Sequence, residues 1–229
     1  TDNLDRVIPL PADDTLLGYR LVMKIAWLTV FFLVLGWSAV NPKDYMTWAL
    51  EVAPAVIGLV VMAVTYNSFR LTPLLYFLIL LHCIVLIVGG HYTYAEVPLF
   101  DYLQPILGFE RNNYDKLGHF MQGFVPALIG REILIRKAVV AAAAWRNFFI
   151  VCFCLAFSAF YELIEWAVAI AAGAGSEAFL GTQGYEWDTQ SDMGFALLGS
   201  ILALLLLARP HDRQLANLPQ DYSRSTDGN

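Results

Sequence analysis

Six apolar stretches of roughly 20 residues, each long enough to cross a bilayer, constrain this 229-residue chain more than any other feature. They lie near 21–40, 47–66, 72–90, 116–135, 147–172 and 191–208. In hydrocarbon every backbone N–H and C=O must find a partner within the protein, so uninterrupted spans of this length fold as helices. Apolar residues make up 58% of the chain and charged residues 15%, a balance outside that of soluble domains. The expected fold is all-α: a polytopic six-transmembrane-helix bundle over 21–208, with polar tails over 1–20 and 209–229. The first span has no small-residue cleavage site after it, so it reads as a retained helix, not a signal peptide.

Basic residues set the orientation, because Lys and Arg concentrate on the cytoplasmic side. With the N-terminus inside, eleven of the 14 lysines and arginines are cytoplasmic, and only Lys43, Arg111 and Lys116 fall outside. Both termini are therefore expected in the cytoplasm. The net charge of -6 and the scattered basic residues give no stripe that could follow phosphates, which excludes nucleic acid as a partner. Cys83, Cys152 and Cys154 all lie in apolar spans and read as buried thiols, not as a disulfide or a thiolate metal site. No internal repeat is evident, and the alanine run at 141–144 is the one low-complexity patch.

Within this apolar background Asp115 and His119, Glu162 and Glu165, and Asp188 and Asp192 form three pairs at i,i+3 or i,i+4 spacing. Such spacing puts both members on one helix face, and charge inside a membrane marks function by default. The orientation brings all three pairs to the outer layer, together with His91 at the end of span three and Glu51 one turn into span two. Gln122 extends the Asp115 and His119 stripe. Inward-facing carboxylates and imidazoles are how helical bundles build metal sites, and an oxygen-rich set with one or two imidazoles suits Zn, Mn, Fe or Mg better than Cu(I).

Blander readings stand beside this one. Asp115 and Asp192 are equally placed to cap helices, and His119 to serve as an interhelical donor. Glu162 and Glu165 resist that treatment, because two carboxylates one turn apart in an apolar span repel each other and oppose desolvation. His82 reads as a satisfied core histidine, and Arg131 and Glu132 as interface anchors. Phe148 to Phe157, Ala196 to Leu207 and Ala55 to Ala63 hold no charge, which favours a blind pocket over a conduction path. Gly118, Gly123, Gly194 and Gly199 would let the last three spans approach closely. The outer segments 91–114 and 173–190 are long and aromatic, so they read as a functional rim or as interfacial aromatic belts.

The runs Asn113-Tyr114-Asp115-Lys116-Leu117-Gly118-His119-Phe120, Tyr161-Glu162-Leu163-Ile164-Glu165-Trp166, and Gly181-Thr182-Gln183-Gly184 continuing to Trp187-Asp188-Thr189-Gln190-Ser191-Asp192-Met193 resemble the YjdF-like family of bacterial inner-membrane proteins. The resemblance covers about residues 20 to 205. It implies a six-span inner-membrane fold in a family of unassigned function, and so leaves the chemistry to the residues. A fainter similarity links Asp115-Lys116-x-x-His119, a later helix acid and the segment from Asp192 to Gly199 to VanZ-like membrane proteins, from which the doubled glutamate departs.

The expected function is a metal-dependent membrane hydrolase or transferase acting at the outer face on a lipid-linked or envelope substrate. Asp115, His119, Asp188 and Asp192 would bind a divalent metal. Glu162 would be a further ligand or the base that deprotonates metal-bound water, with Glu165 beside it and His91 as an additional ligand. Two alternatives stand: a non-enzymatic ion- or metal-binding sensor or carrier, and a scaffold whose polar layer holds helices together.

Overall fold

The computed structural model describes residues 14–172 and 185–218, and within them it is all-helical. The elements are α1 (Asp14–Ser38), α2 (Tyr45–Thr65), α3 (Pro73–His91), α4 (Pro98–Leu107), α5 (Tyr114–Arg136), α6 (Ala143–Ala172) and α7 (Asp188–Ala216). Five of them, α1, α2, α3, α6 and α7, are long and apolar enough to cross a membrane. α5 has 23 residues, but His119, Gln122, Arg131 and Glu132 lower its hydropathy. It can carry them because it is the innermost helix, packed between α3, α6 and α7, where its polar side chains meet protein and not lipid.

The bundle has two parts joined along α3 and α5. α1 and α2 pack on α3, while α6 and α7 pack on α5. On α3 the buried residues Leu75, Leu78, Ile79, Cys83 and Ile87 follow helical spacing along one face. They meet Phe31, Val52, Val125, Leu128 and Ile150 in the core. Outward, Leu21, Phe32, Ile57, Phe153 and Leu205 are exposed. In water such a surface would aggregate, and in a bilayer it is the lipid-facing surface.

The tightest contact joins α5 to α7. A Cβ on Gly123 would collide with the backbone of Ala196, and one on Gly199 with the backbone of Phe120, so the two helices touch main chain to main chain at small residues, as expected for packing in membranes. Gly194 faces open space and Gly118 faces the Tyr94 ring, so of the four glycines read as approach points, two serve the helix contact.

Four sequence expectations change. The outer segment after α3 contains α4, an amphipathic helix with no buried residue. Its Leu99, Tyr102 and Ile106 are exposed, which fits the interfacial reading of its aromatics. Asn112 ties it to α5, donating to Val97 O at 3.0 Å and Asp101 Oδ1 at 2.7 Å and accepting from Tyr114 N at 3.1 Å. The last helix continues beyond residue 208 to Ala216, because His211 and Asp212 find partners on α5. Arg131 and Glu132 are not interface anchors but buried groups.

These groups form a polar clasp at the basic end of the bundle. Glu132 Oε2 accepts from Thr72 Oγ1 at 2.9 Å and lies 3.0 Å from His211 Nε2, while Oε1 accepts from Arg136 Nη1 at 2.8 Å. Arg131 Nη2 donates to Asp212 Oδ1 at 2.7 Å, and its Nη1 lies 3.1 Å from His211 Nδ1. A guanidinium can only donate, so His211 Nδ1 accepts and its Nε2–H donates to Glu132. His82 also differs from expectation: its Nε2 is buried with no hydrogen-bond partner. The three cysteines are free thiols. Pro9, Pro11 and the segments 1–13, 173–184 and 219–229, which include Gly181, Thr182, Gln183 and Gly184, lie outside the described residues.

Candidate functional site

α5 enters the opposite end of the bundle with Asp115 in its first turn and His119 one turn deeper. Neither Asp115 nor Asp192 is the capping residue, since Asn113 and Trp187 precede α5 and α7 and neither makes a side-chain capping bond, but Asp115 does lie where the N-terminal dipole of α5 favours a carboxylate. Because α5 and α7 touch at Gly123 and Gly199, Asp192 is carried against the same face. Ligand atoms of Asp115, His119 and Asp192 all lie within 4.8 Å of one another. His119 Nε2 is 3.4 Å from Asp115 Oδ1 and 3.6 Å from Glu162 Oε1 on α6. Its Nδ1 lies 3.1 Å from Gln122 Oε1. Gln122 Oε1 can only accept, so Nδ1–H donates to it and Nε2 is left facing the carboxylates.

Among the described residues a small cavity of about 20 Å³ adjoins this cluster, enough for a water or an ion. Glu51, Tyr94, Asp115, His119, Tyr161 and Glu165 are among the residues that line it. Tyr161 donates to Glu51 Oε2 at 3.2 Å. Thr93 and Tyr94 both adopt left-handed backbone, with φ of 57° and 56°, an uncommon conformation for non-glycine residues. This turn swings the Tyr94 ring between Gly89 and Gly118 and over the cavity.

Five carboxylates, Glu51, Asp115, Glu162, Glu165 and Asp192, thus share one largely water-excluded layer. Other cations nearby are directed elsewhere: Arg111 pairs with Asp188, and Lys116 donates to Ser191 Oγ at 2.6 Å. Glu162 Oε1 and Asp192 Oδ1 are buried without a hydrogen-bond partner. Unpaired acceptors in such surroundings are costly, and a cation bound among them would repay that cost. The donor set, carboxylate oxygens with one imidazole, fits a hard or borderline divalent ion.

The structure therefore brings Asp115, His119, Asp192 and Glu162 together, with Glu165 on the cavity wall. It does not bring in His91, whose Nδ1 lies 2.8 Å from Ser38 O and whose ring packs against Trp37 and Tyr92. There it closes the end of α1. Asp188 sits beside the cluster but is claimed by Arg111. Tyr94, Tyr161 and Arg111 were not singled out from sequence. Only Tyr161 had a usable signal, its adjacency to Glu162.

Residues 23–213 match the family model described as a predicted membrane protein, DUF2238. The chain belongs to this family. It is 50% identical over 195 residues to inner membrane protein YjdF of Escherichia coli (strain K12), a match that covers 85% of this chain and 93% of that protein. No solved structure matches it. Membership agrees with the resemblance read from the three motifs, whereas the VanZ-like similarity gains nothing from these matches. With its lipid-facing helices, the chain is a multi-pass inner-membrane protein of a family whose description assigns no activity.

Proposed function

We propose that this protein binds a divalent cation within the membrane, held by Asp115, His119 and Asp192 with Glu162 as the adjoining carboxylate. The observation that carries the reading is the approach of those three ligand atoms to within 4.8 Å of one another beside two buried, unpartnered carboxylate oxygens. Zn, Mn, Fe and Mg all suit the donor set. The test is titration of chelator-stripped, purified protein with Mn²⁺ and with Zn²⁺. Saturable binding of one ion per chain, lost in Asp192→Asn while the fold is kept, is expected. A polar layer that only holds helices together would bind none.

The reading includes a topology: six spans over 21–208 as one transmembrane domain, with both termini cytoplasmic and the acidic layer at the outer face. The central position of α5 and the gathering of Arg20, Lys24, Arg70 and Arg136 at the end away from His119 support it. Cysteine labelling of intact cells at Lys43→Cys and Lys137→Cys tests it, with only the first expected to react with a membrane-impermeant reagent.

A second reading, hydrolysis or group transfer on a lipid-linked envelope substrate, draws on Glu162. Its Oε1 lies beside His119 without a hydrogen bond, where a base could take a proton from cation-bound water. Glu165 would support it from the cavity wall. Loss of turnover in Glu162→Gln with the cation still bound would favour the enzyme over a sensor or carrier.

A further inference from the structure

At the basic end of the bundle, α1 and α2 both pack on α3 and leave a crevice of about 670 Å³ between them. Its walls are apolar, with Met23, Trp27 and Val30 from α1, Leu59 and Met62 from α2, and Phe77 from α3. Arg20, Lys24, Arg70 and Arg136 also line it, and among the described residues no carboxylate does. Arg136 donates to Arg70 O at 2.6 Å and to Glu132 Oε1 at 2.8 Å, which holds this side of the rim in place. Lys24 and Arg70 lie 4.3 and 4.7 Å from the centre of the Tyr66 ring, one from each side of the crevice mouth. An aromatic ring thus gathers two cations that would otherwise repel.

We infer that this crevice is a binding site for one anionic phospholipid, its acyl chain along Trp27, Met62 and Phe77 and its phosphate among Arg20, Lys24 and Arg70. The charge pattern decides the occupant. A zwitterionic lipid would bring its own cation to a rim that already holds Arg20, Lys24 and Arg70, whereas basic pockets between transmembrane helices select anionic head groups. Met23, Val30 and Phe77 of the apolar wall are exposed on the lipid-facing surface, where a lipid reaches the crevice laterally. The site is separate from the acidic cluster and does not depend on cation binding there.

Native mass spectrometry of the full chain, released from vesicles of equal parts phosphatidylglycerol and phosphatidylcholine, reads both bound lipid and oligomeric state. One retained phosphatidylglycerol is expected, favoured over phosphatidylcholine by about tenfold or more given the cations at the rim. The triple variant Arg20→Gln, Lys24→Gln, Arg70→Gln should bring that preference to near parity. Ala63→Phe, which narrows the crevice and leaves every cation in place, should lose the retained lipid. Equal retention of the two lipids by the wild type, an unchanged preference in both variants, or a dimer without lipid would overturn the inference.

Discussion

His119 Nε2 on α5 faces Glu162 Oε1 on α6 across 3.6 Å, a separation too long for a hydrogen bond and suited to two groups turned toward a third. What turns the imidazole is Gln122, one helical turn deeper, which fixes the ring through Nδ1 at 3.1 Å. Partners of this kind, behind a metal ligand, typically contribute 10–100-fold in affinity. Gln122→Ala should therefore weaken Mn²⁺ binding by about 10–100-fold while His119→Ala abolishes it. Calorimetric titration of both variants checks the order.

Asp188 and Asp192 are one turn apart on α7 and should behave differently. Asp188 is paired with Arg111, whereas Asp192 presents a buried, unpartnered oxygen to the cluster. Asp188→Asn is expected to change cation affinity by less than about tenfold, roughly 1.4 kcal/mol, and Asp192→Asn to remove measurable binding. The same titration distinguishes them.

The clasp around Glu132 predicts a stability effect without a binding effect. Glu132 and His211 are fully buried, and removing one partner of a buried charged network costs about 3–5 kcal/mol. Glu132→Ala should lower the apparent unfolding temperature in detergent sharply. In the protein that remains folded, cation affinity should match the wild type, because Glu132 lies thirteen residues along α5 from His119, about 20 Å.

Much of this architecture was legible in the sequence, for identifiable reasons. Hydrophobic length gave the spans, i,i+4 spacing gave the shared face of Asp115 with His119, and i,i+3 spacing that of Glu162 with Glu165. What sequence could not supply was the partner across helices. His91 has the chemistry of a ligand, but Ser38 O lies 2.8 Å away and satisfies it. Arg131 and Glu132 look like interfacial charges until α7 is seen to run on to Ala216 and bring His211 against them. Tyr94 reaches the cavity through two left-handed residues, a conformation that Thr93 and Tyr94 do not announce.

Packing of α5 on α7 gives a paired test. Gly199→Leu would drive a side chain into the Phe120 backbone, an overpacking cost of about 3 kcal/mol or more, and should prevent recovery of folded protein. Gly194→Ala faces open space and should be neutral or stabilising by up to about 1 kcal/mol through helix propensity. Thermal unfolding in detergent measures both.

Asp44 caps α2, accepting from Thr47 N at 2.7 Å, and this backbone hydrogen bond holds its carboxyl below the ordinary aspartate value. A depressed folded-state value means the contribution is present above the unfolded value, near 3.9, and is lost as pH falls through the folded one. Asp44→Ala should cost about 0.5–2 kcal/mol at neutral pH. Asp44→Asn should keep most of the cap and lose its acid sensitivity, which unfolding followed between pH 6 and about 3 would show.

X-ray absorption at the zinc edge of purified, zinc-loaded protein addresses the cation site most directly. A nitrogen and oxygen shell at about 2.0–2.2 Å with the outer scattering of one imidazole is expected, with loss of that imidazole signal in His119→Ala. A shell without imidazole in the wild type, or identical spectra for the two proteins, would contradict the proposed cation site.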